Sequence, residues 1–324
     1  MSARAAFVAA ALALTLTSAA FASESRARFG RVEAVVWTPD TAAGAERWPV
    51  VLFSHGLLMC PTQARYITRA IAAAGYFVVA PLHADSYCGD TTMDLADVSR
   101  LPLKPSMLWS DSDYRDRAGD MQALVAALRE DHALGARVDA DRIALVGHSL
   151  GGYTVLGLGG AWPSWSLPGV LAIVAYVPYV MPFLGSDGLA RLNAAVMFQG
   201  GTQDPTFTVP LWVDGGAYQR APSPKVLVEI DGAAHLAWTD LGVSGREAIV
   251  SCTVAFLDRY VKGAPEAAPR VACIDGVAEL RSDPPSRSAP ANADRRSAPT
   301  AYAAATATVR DWITRARGWL PVFQ

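Results

Sequence analysis

Lysine is almost missing from this chain. It occurs only at Lys104, Lys225 and Lys262, and 28 basic residues against 30 acidic ones leave a formal net charge of −2. No basic stripe is available to meet a phosphate backbone, so nucleic acid is not an expected partner. The few lysines among many arginines reflect genome composition rather than function. Histidine is scarce too, with five residues, and no His, Cys and Asp fall together at zinc-site spacing. No G-x-G-x-x-G follows an apolar run, and the glycines at 147–152 lack the lysine of a phosphate-binding loop. Neither a metal nor a cofactor is expected, and no internal repeat is found. The apolar run at 5–17 is too short to span a bilayer comfortably and has no stop-transfer flank, so no permanent membrane span is expected.

That run has another reading. Arg4 supplies a positive start, residues 5–17 an Ala/Leu-rich core, and Ala20-Phe21-Ala22 a small-residue cleavage site. Residues 1–22 are expected to be a cleaved signal, with a secreted or periplasmic chain starting near Ser23. No cysteine follows the cleavage site, so no lipid anchor is expected there. Export puts Cys60, Cys88, Cys252 and Cys273 in an oxidising compartment. Four cysteines allow three connectivities. Nearest neighbours, Cys60 with Cys88 and Cys252 with Cys273, are the expected pairs, and four free thiols are the alternative.

What the chain does have is alternation. Continuous apolar runs at 48–54, 76–81, 143–146, 170–179, 194–198 and 225–230 read as strands buried on both faces. Residues 31–39 read as an antiparallel leading strand. Helical spacing appears at 63–74, 114–129 and 244–260. Strand–helix–strand alternation predicts an α/β fold, a mostly parallel twisted sheet flanked by helices. The segment 82–108 is irregular and follows a strand, so it should overhang the edge where ligands bind. A tryptophan- and proline-bearing loop occupies 162–168. The short connection between the 170 and 194 strands leaves no room for a large cap domain. One catalytic domain is therefore expected over 23–262. Residues 263–324 form a Pro/Ala/Ser-rich tail to which no chemistry is assigned, although 301–320 has the spacing of a terminal helix.

The chemistry gathers at strand ends. Ile143-Ala-Leu-Val-Gly-His-Ser-Leu-Gly-Gly152 is a strand running into a very tight turn and a helix start, with Ser149 at its apex. A serine hydroxyl attacks only when a base removes its proton, and that base is normally a histidine oriented by a carboxylate. The order serine, acid, histidine occurs once at successive strand ends: Ser149, then Asp204 in Gly-Thr-Gln-Asp-Pro, then His235 in Gly-Ala-Ala-His. Asp187 is the fallback acid. Asp231 is too close to His235 in the chain, and Asp214 lies in the following segment. Among the other histidines, His55 and His148 are expected to be structural, His132 to lie on the surface, and His83 to line the site. Oxyanion donors are expected from the backbone N–H groups of Leu150 and Leu57. Leu57 and Leu58 would form an apolar wall, and Trp109, Tyr179 and Trp238 an aromatic rim. Leu58, His83, Tyr179 and Trp238 are the expected substrate contacts. A disulfide between Cys60 and Cys88 would pin the oxyanion loop to its neighbour, and one between Cys252 and Cys273 would staple the start of the tail.

Phe53-Ser-His-Gly-Leu, Gly75-Tyr-Phe-Val-Val-Ala-Pro, Gly147-His-Ser-Leu-Gly-Gly, Gly201-Thr-Gln-Asp and Gly232-Ala-Ala-His together resemble the α/β-hydrolase superfamily. Within it they look like the branch of dienelactone-hydrolase-like proteins, platelet-activating-factor acetylhydrolases and cutinase-like polyester hydrolases. Dienelactone hydrolases use a cysteine nucleophile where this chain has Ser149. The resemblance covers about residues 30 to 262. It implies the α/β-hydrolase fold and cleavage of small-molecule or lipid-like carboxylic esters through an acyl-enzyme. An amidase or peptidase with the same triad, and a non-catalytic binding protein on the same fold, are the competing expectations.

Overall fold

Seven consecutive residues of β3 (Trp48–Ser54) are buried, and the same saturation recurs along the chain. A strand buried on both faces must sit between two helical layers. The computed structural model describes residues 22–40, 47–89, 105–264 and 276–283. It contains β1 (Ser23–Phe29), β2 (Val32–Thr38), β4 (Phe77–Pro81), β5 (Val138–His148), β6 (Val170–Tyr176), β7 (Ala195–Gly201), β8 (Lys225–Ile230) and β9 (Val277–Asp283) besides β3. They form one sheet in the order β1-β2-β4-β3-β5-β6-β7-β8-β9. From β4 to β8 all pairs are parallel. β1, β2 and β9 pair antiparallel at the two edges.

Five longer helices cover it: α1 (Arg65–Ala73), α2 (Arg115–Glu130), α3 (Leu150–Leu156), α4 (Pro205–Trp212) and α5 (Arg246–Tyr260). Side chains alternate across a strand, so each strand feeds both layers. Val50 and Leu52 of β3, with Ile143 and Leu145 of β5, pack with Met121, Leu124 and Leu128 of α2 and with α3. Val51, Phe53, Ala144 and Val146 face the other way, toward Ile67 and Ile71 of α1 and Ile249 and Phe256 of α5. Each fully buried Leu, Ile or Phe contributes roughly 1.5–3 kcal/mol relative to exposure.

The expected strands and helices agree with these elements to within a few residues, except that β5 starts at Val138, five residues ahead of the apolar run at 143–146. The strand expected over 170–179 stops at Tyr176, because Val177 takes a left-handed φ of 35° ahead of Pro178. Two edge strands add to the expected sheet. β1 starts at Ser23, is mostly exposed, and is held by Glu24, which accepts from Trp37 Nε1 at 3.0 Å and pairs with Arg65. β9, from the Pro/Ala/Ser-rich stretch, hydrogen-bonds along β8. Both sequences are charged, β1 mostly exposed and β9 half-buried, so they lack the apolar signal of a central strand. The export signal expected over 1–22 lies outside the described residues except for Ala22, and the terminal helix expected over 301–320 lies outside them entirely.

Candidate active site

Ser149 sits where β5 turns into α3. Its φ of 55° and ψ of −113° are a conformation that few non-glycine residues hold. Two backbone bonds keep it there: its N–H donates to the Tyr176 carbonyl at 2.9 Å, and its carbonyl accepts from Tyr179 N–H at 3.0 Å. The turn is tight enough that the α3 backbone rests on the end of β3. A Cβ added at Gly151 would come 2.7 Å from the His55 carbonyl oxygen and closer still to that of Ser54.

The structure brings Ser149, His235 and Asp204 together. Ser149 Oγ lies 3.0 Å from His235 Nε2, and His235 Nδ1 lies 2.6 Å from Asp204 Oδ2. Asp204 occupies the N-cap position of α4 but makes no side-chain cap bond, because its carboxylate is turned to the histidine. The loops after β7 and β8 are tied to each other. Gln203 N–H donates to the Ala233 carbonyl at 3.0 Å, and Gly232 N–H donates to Thr202 Oγ1 at 2.8 Å. His235 opens a 3₁₀ turn, His235–Trp238, and its ring lies 4.1 Å from that of Phe207. Asp187, the fallback acid, is exposed. Leu150 opens α3, where the first N–H groups have no intrahelical acceptor. Leu57 N–H likewise has no acceptor among the described residues.

Several expected contacts are placed elsewhere. Trp238 does not line a rim. It is fully buried, donates from Nε1 to Gln199 Oε1 at 2.9 Å, and stacks on Tyr176, so it anchors the histidine turn. His83 is buried beneath the loop after β3, with Nε2 3.1 Å from Ser54 Oγ and Nδ1 3.0 Å from Asp120 Oδ2. Leu57 and Leu58 form a turn closed by Met59 N–H on the Gly56 carbonyl, with Leu58 at a φ of 54°. Tyr179 does lie against the site. It stands in an aromatic row running from Phe207, beside His235, through Tyr179 to Trp109. Phe207 has no sequence signal of its own beyond its place three residues after Asp204, on the first turn of α4.

The histidines next to the site stay neutral. His148 is fully buried. Its Nδ1 lies 3.1 Å from Gln63 Nε2, and its Nε2 lies 2.9 Å from the His235 carbonyl oxygen. Gln63 Oε1 already accepts from Gly56 N–H, so the amide donates to Nδ1 and His148 donates through Nε2–H. Burial first, and the neighbouring His235 second, lower its pKa from 6.5 to about 3. Burial and then the Arg117 charge hold His55 and His83 well below the usual range as well. A lowered folded pKa gives stability that is complete above pH 6.5 and is lost as pH falls toward 3. His148 alone is expected to cost about 3 kcal/mol by pH 4.5. Urea unfolding at pH 7.5 and pH 4.5 checks this; equal midpoints would refute it, and His148→Gln should reduce the difference.

Cys60 and Cys88 are joined, linking the loop after β3 to the loop after β4. Cys252 is a buried free thiol in α5, so the second staple is not formed there; Cys273 lies outside the described residues. The Cys60–Cys88 loop has a sequence separation of 28. Replacing both by alanine is expected to lower stability by about 3–4 kcal/mol through chain entropy, read as a shift in the urea midpoint.

A family model described as Chlorophyllase matches residues 19–178. The platelet-activating factor acetylhydrolase of Bos taurus is 26% identical over 189 residues, covering 47% of this chain and 42% of the relative. That of Canis lupus familiaris is 28% identical over 189 residues, with the same coverage. This chain therefore spans less than half the length of the curated relatives it matches. A mostly parallel sheet with a strained serine turn after β5, an aspartate after β7 and a histidine after β8 is the α/β-hydrolase fold, and both matches are consistent with that superfamily.

Proposed function

We propose that this protein is a secreted or periplasmic serine hydrolase that cleaves carboxylic esters through an acyl-enzyme. The observation that carries the reading is the relay from Ser149 Oγ to His235 Nε2 at 3.0 Å and from His235 Nδ1 to Asp204 Oδ2 at 2.6 Å. His235 takes the Ser149 proton as Oγ bonds to the ester carbonyl carbon. Asp204 holds the ring with Nδ1–H toward itself and stabilises the imidazolium. The Leu150 and Leu57 N–H groups receive the oxyanion. His235 then protonates the leaving alkoxide as the ester C–O bond breaks. Water repeats the sequence on the acyl group. The water oxygen bonds to the acyl carbon as His235 takes its proton, the acyl–Oγ bond breaks, and the proton passes to Ser149 Oγ, releasing the acid after the alcohol of the first step.

The row Phe207, Tyr179 and Trp109 supports an apolar or aromatic acyl or alcohol group beside the nucleophile. The relatives' name, acetylhydrolase, agrees with a small acyl group. The N-terminal signal pattern and the Cys60–Cys88 bond support export to an oxidising compartment. Among the described residues no helix is long and apolar enough to cross a membrane.

Fluorophosphonate labelling followed by peptide mass mapping tests the nucleophile, and hydrolysis of p-nitrophenyl acetate and butyrate tests the reaction. Label on the peptide containing Ser149, together with turnover of either ester, is the expected result. An unlabelled Ser149 would favour the binding-protein reading. Label without ester turnover, but with cleavage of anilides, would favour an amidase.

A further inference from the structure

Arg117 is the one charged side chain of α2 with no exposed surface, and the mechanism above does not use it. It reaches from the helix to the end of β3. Nε and Nη2 grip Asp85 at 3.0 and 2.7 Å, a bidentate pair. Nη1 donates to the His55 carbonyl at 2.7 Å, and Nη2 to the Gly56 carbonyl at 3.1 Å. Burial opposes ionisation of Asp85, but the guanidinium beside it holds the carboxyl below the usual carboxylate range. Removing two such charges from water is costly, and an apolar pair of the same volume is often as stable. The cost therefore points to something the pair does for residues 55 and 56.

The Gly56 carbonyl and the Leu57 N–H belong to one peptide unit. That unit is planar and trans, so its N–H points opposite to its C=O. Three donors fix the carbonyl end: Arg117 Nη2, His55 Nδ1 at 2.8 Å and Met59 N–H at 3.2 Å. Ser86 Oγ, 2.7 Å from His55 Nε2, donates there and so keeps the His55 proton on Nδ1. Gly56 N–H is fixed as well, on Gln63 Oε1 at 3.0 Å. With the carbonyl end gripped from inside, the N–H end is aimed outward, and a cation on the carbonyl polarises the amide toward a stronger donor.

We propose that Arg117, paired with Asp85, is a positioning residue of the oxyanion hole, gripping the Gly56 carbonyl so that the Leu57 N–H is held toward the developing oxyanion. This rests on the reading of Leu57 N–H as an oxyanion donor. Arg117 touches no reacting atom; it acts through one peptide plane.

The test compares p-nitrophenyl butyrate with its thiono analogue, in which sulfur replaces the carbonyl oxygen and accepts hydrogen bonds poorly. The variants are Arg117→Lys, the double variant Arg117→Met with Asp85→Asn, and a backbone ester at position 57 that replaces the N–H by oxygen and keeps the leucine side chain. For the double variant, kcat on the oxygen ester is expected to fall ~10–100-fold with KM within about twofold. The oxygen-to-thiono rate ratio should fall with it, and Arg117→Lys should lie between. A folded double variant with wild-type kcat and ratio overturns the proposal and leaves Arg117 a structural residue. If the double variant does not fold, Arg117→Lys decides: an unchanged ratio overturns the proposal, and a reduced one supports it. If the backbone ester leaves the ratio unchanged, the Leu57 reading itself fails. If the backbone ester lowers the ratio and the Arg117 variants do not, only the positioning role fails.

Discussion

Ser149→Ala is expected to lower kcat on p-nitrophenyl butyrate by about 10⁴–10⁶-fold while leaving the folded protein intact. The reason is geometric. Oγ, 3.0 Å from His235 Nε2, is the atom that would bond to the ester carbonyl, and alanine leaves nothing there to do so. The backbone does not depend on it. The turn is held by the bonds of Ser149 N–H to Tyr176 and of its carbonyl to Tyr179, and both survive the substitution. Alanine pays about the same cost as serine for a φ of 55°. His235→Ala is expected to cost about as much, and the double variant little more than either, because the three groups act as a unit. Retention of more than about a tenth of the wild-type rate by Ser149→Ala would sink the nucleophile assignment.

Gly151→Ala is expected to have the largest effect on stability, a loss of more than about 3 kcal/mol or failure to fold. The added methyl would overlap the Ser54 carbonyl and come 2.7 Å from the His55 oxygen, and neither is the flexible end of a side chain. To make room, α3 must lift from β3. That opens the turn at Ser149 and parts it from the loop after β3, so on the proposed mechanism activity should fall with stability. Gly185→Ala is the control. It has no heavy atom within 4 Å of an added Cβ and a φ of −85°, so it should be neutral or slightly stabilising. Urea unfolding of the two side by side checks the claim; equal midpoints would show that the close approach at Gly151 is slack.

Gly147 and Gly151 bracket Ser149 in a pattern whose meaning is local. A strand, a tight turn and a helix start make the same close approach wherever they occur together. Asp204 and His235 were legible for a related reason. In a parallel sheet every strand ends at the same edge, so residues far apart in sequence are brought together by topology alone. Arg117 was not legible. In Asp113-Tyr-Arg-Asp-Arg-Ala-Gly-Asp120 it reads as one more charge on a solvated helix start, and nothing nearby says that it alone turns inward to Asp85. Trp238 misled for the opposite reason. An aromatic three residues after the histidine looks like a rim, but the 3₁₀ turn rotates it into the core onto Gln199. Gln63 likewise looks like an ordinary residue ahead of α1, yet it joins Gly56 N–H to His148.

Taken alone, the sequence determined the helical layers and the mostly parallel sheet and pointed to three residues at its strand ends, because burial periodicity and strand-end chemistry are short-range properties of the chain. Only the tertiary structure decided which polar groups lie beneath that edge, which histidines stay neutral and which aromatics stand beside His235. Those depend on side chains meeting across 30 to 90 residues of sequence, as Arg117 meets Asp85 and His148 meets Gln63. No local pattern records such encounters, since each partner's own neighbours are compatible with a surface position as well as a buried one.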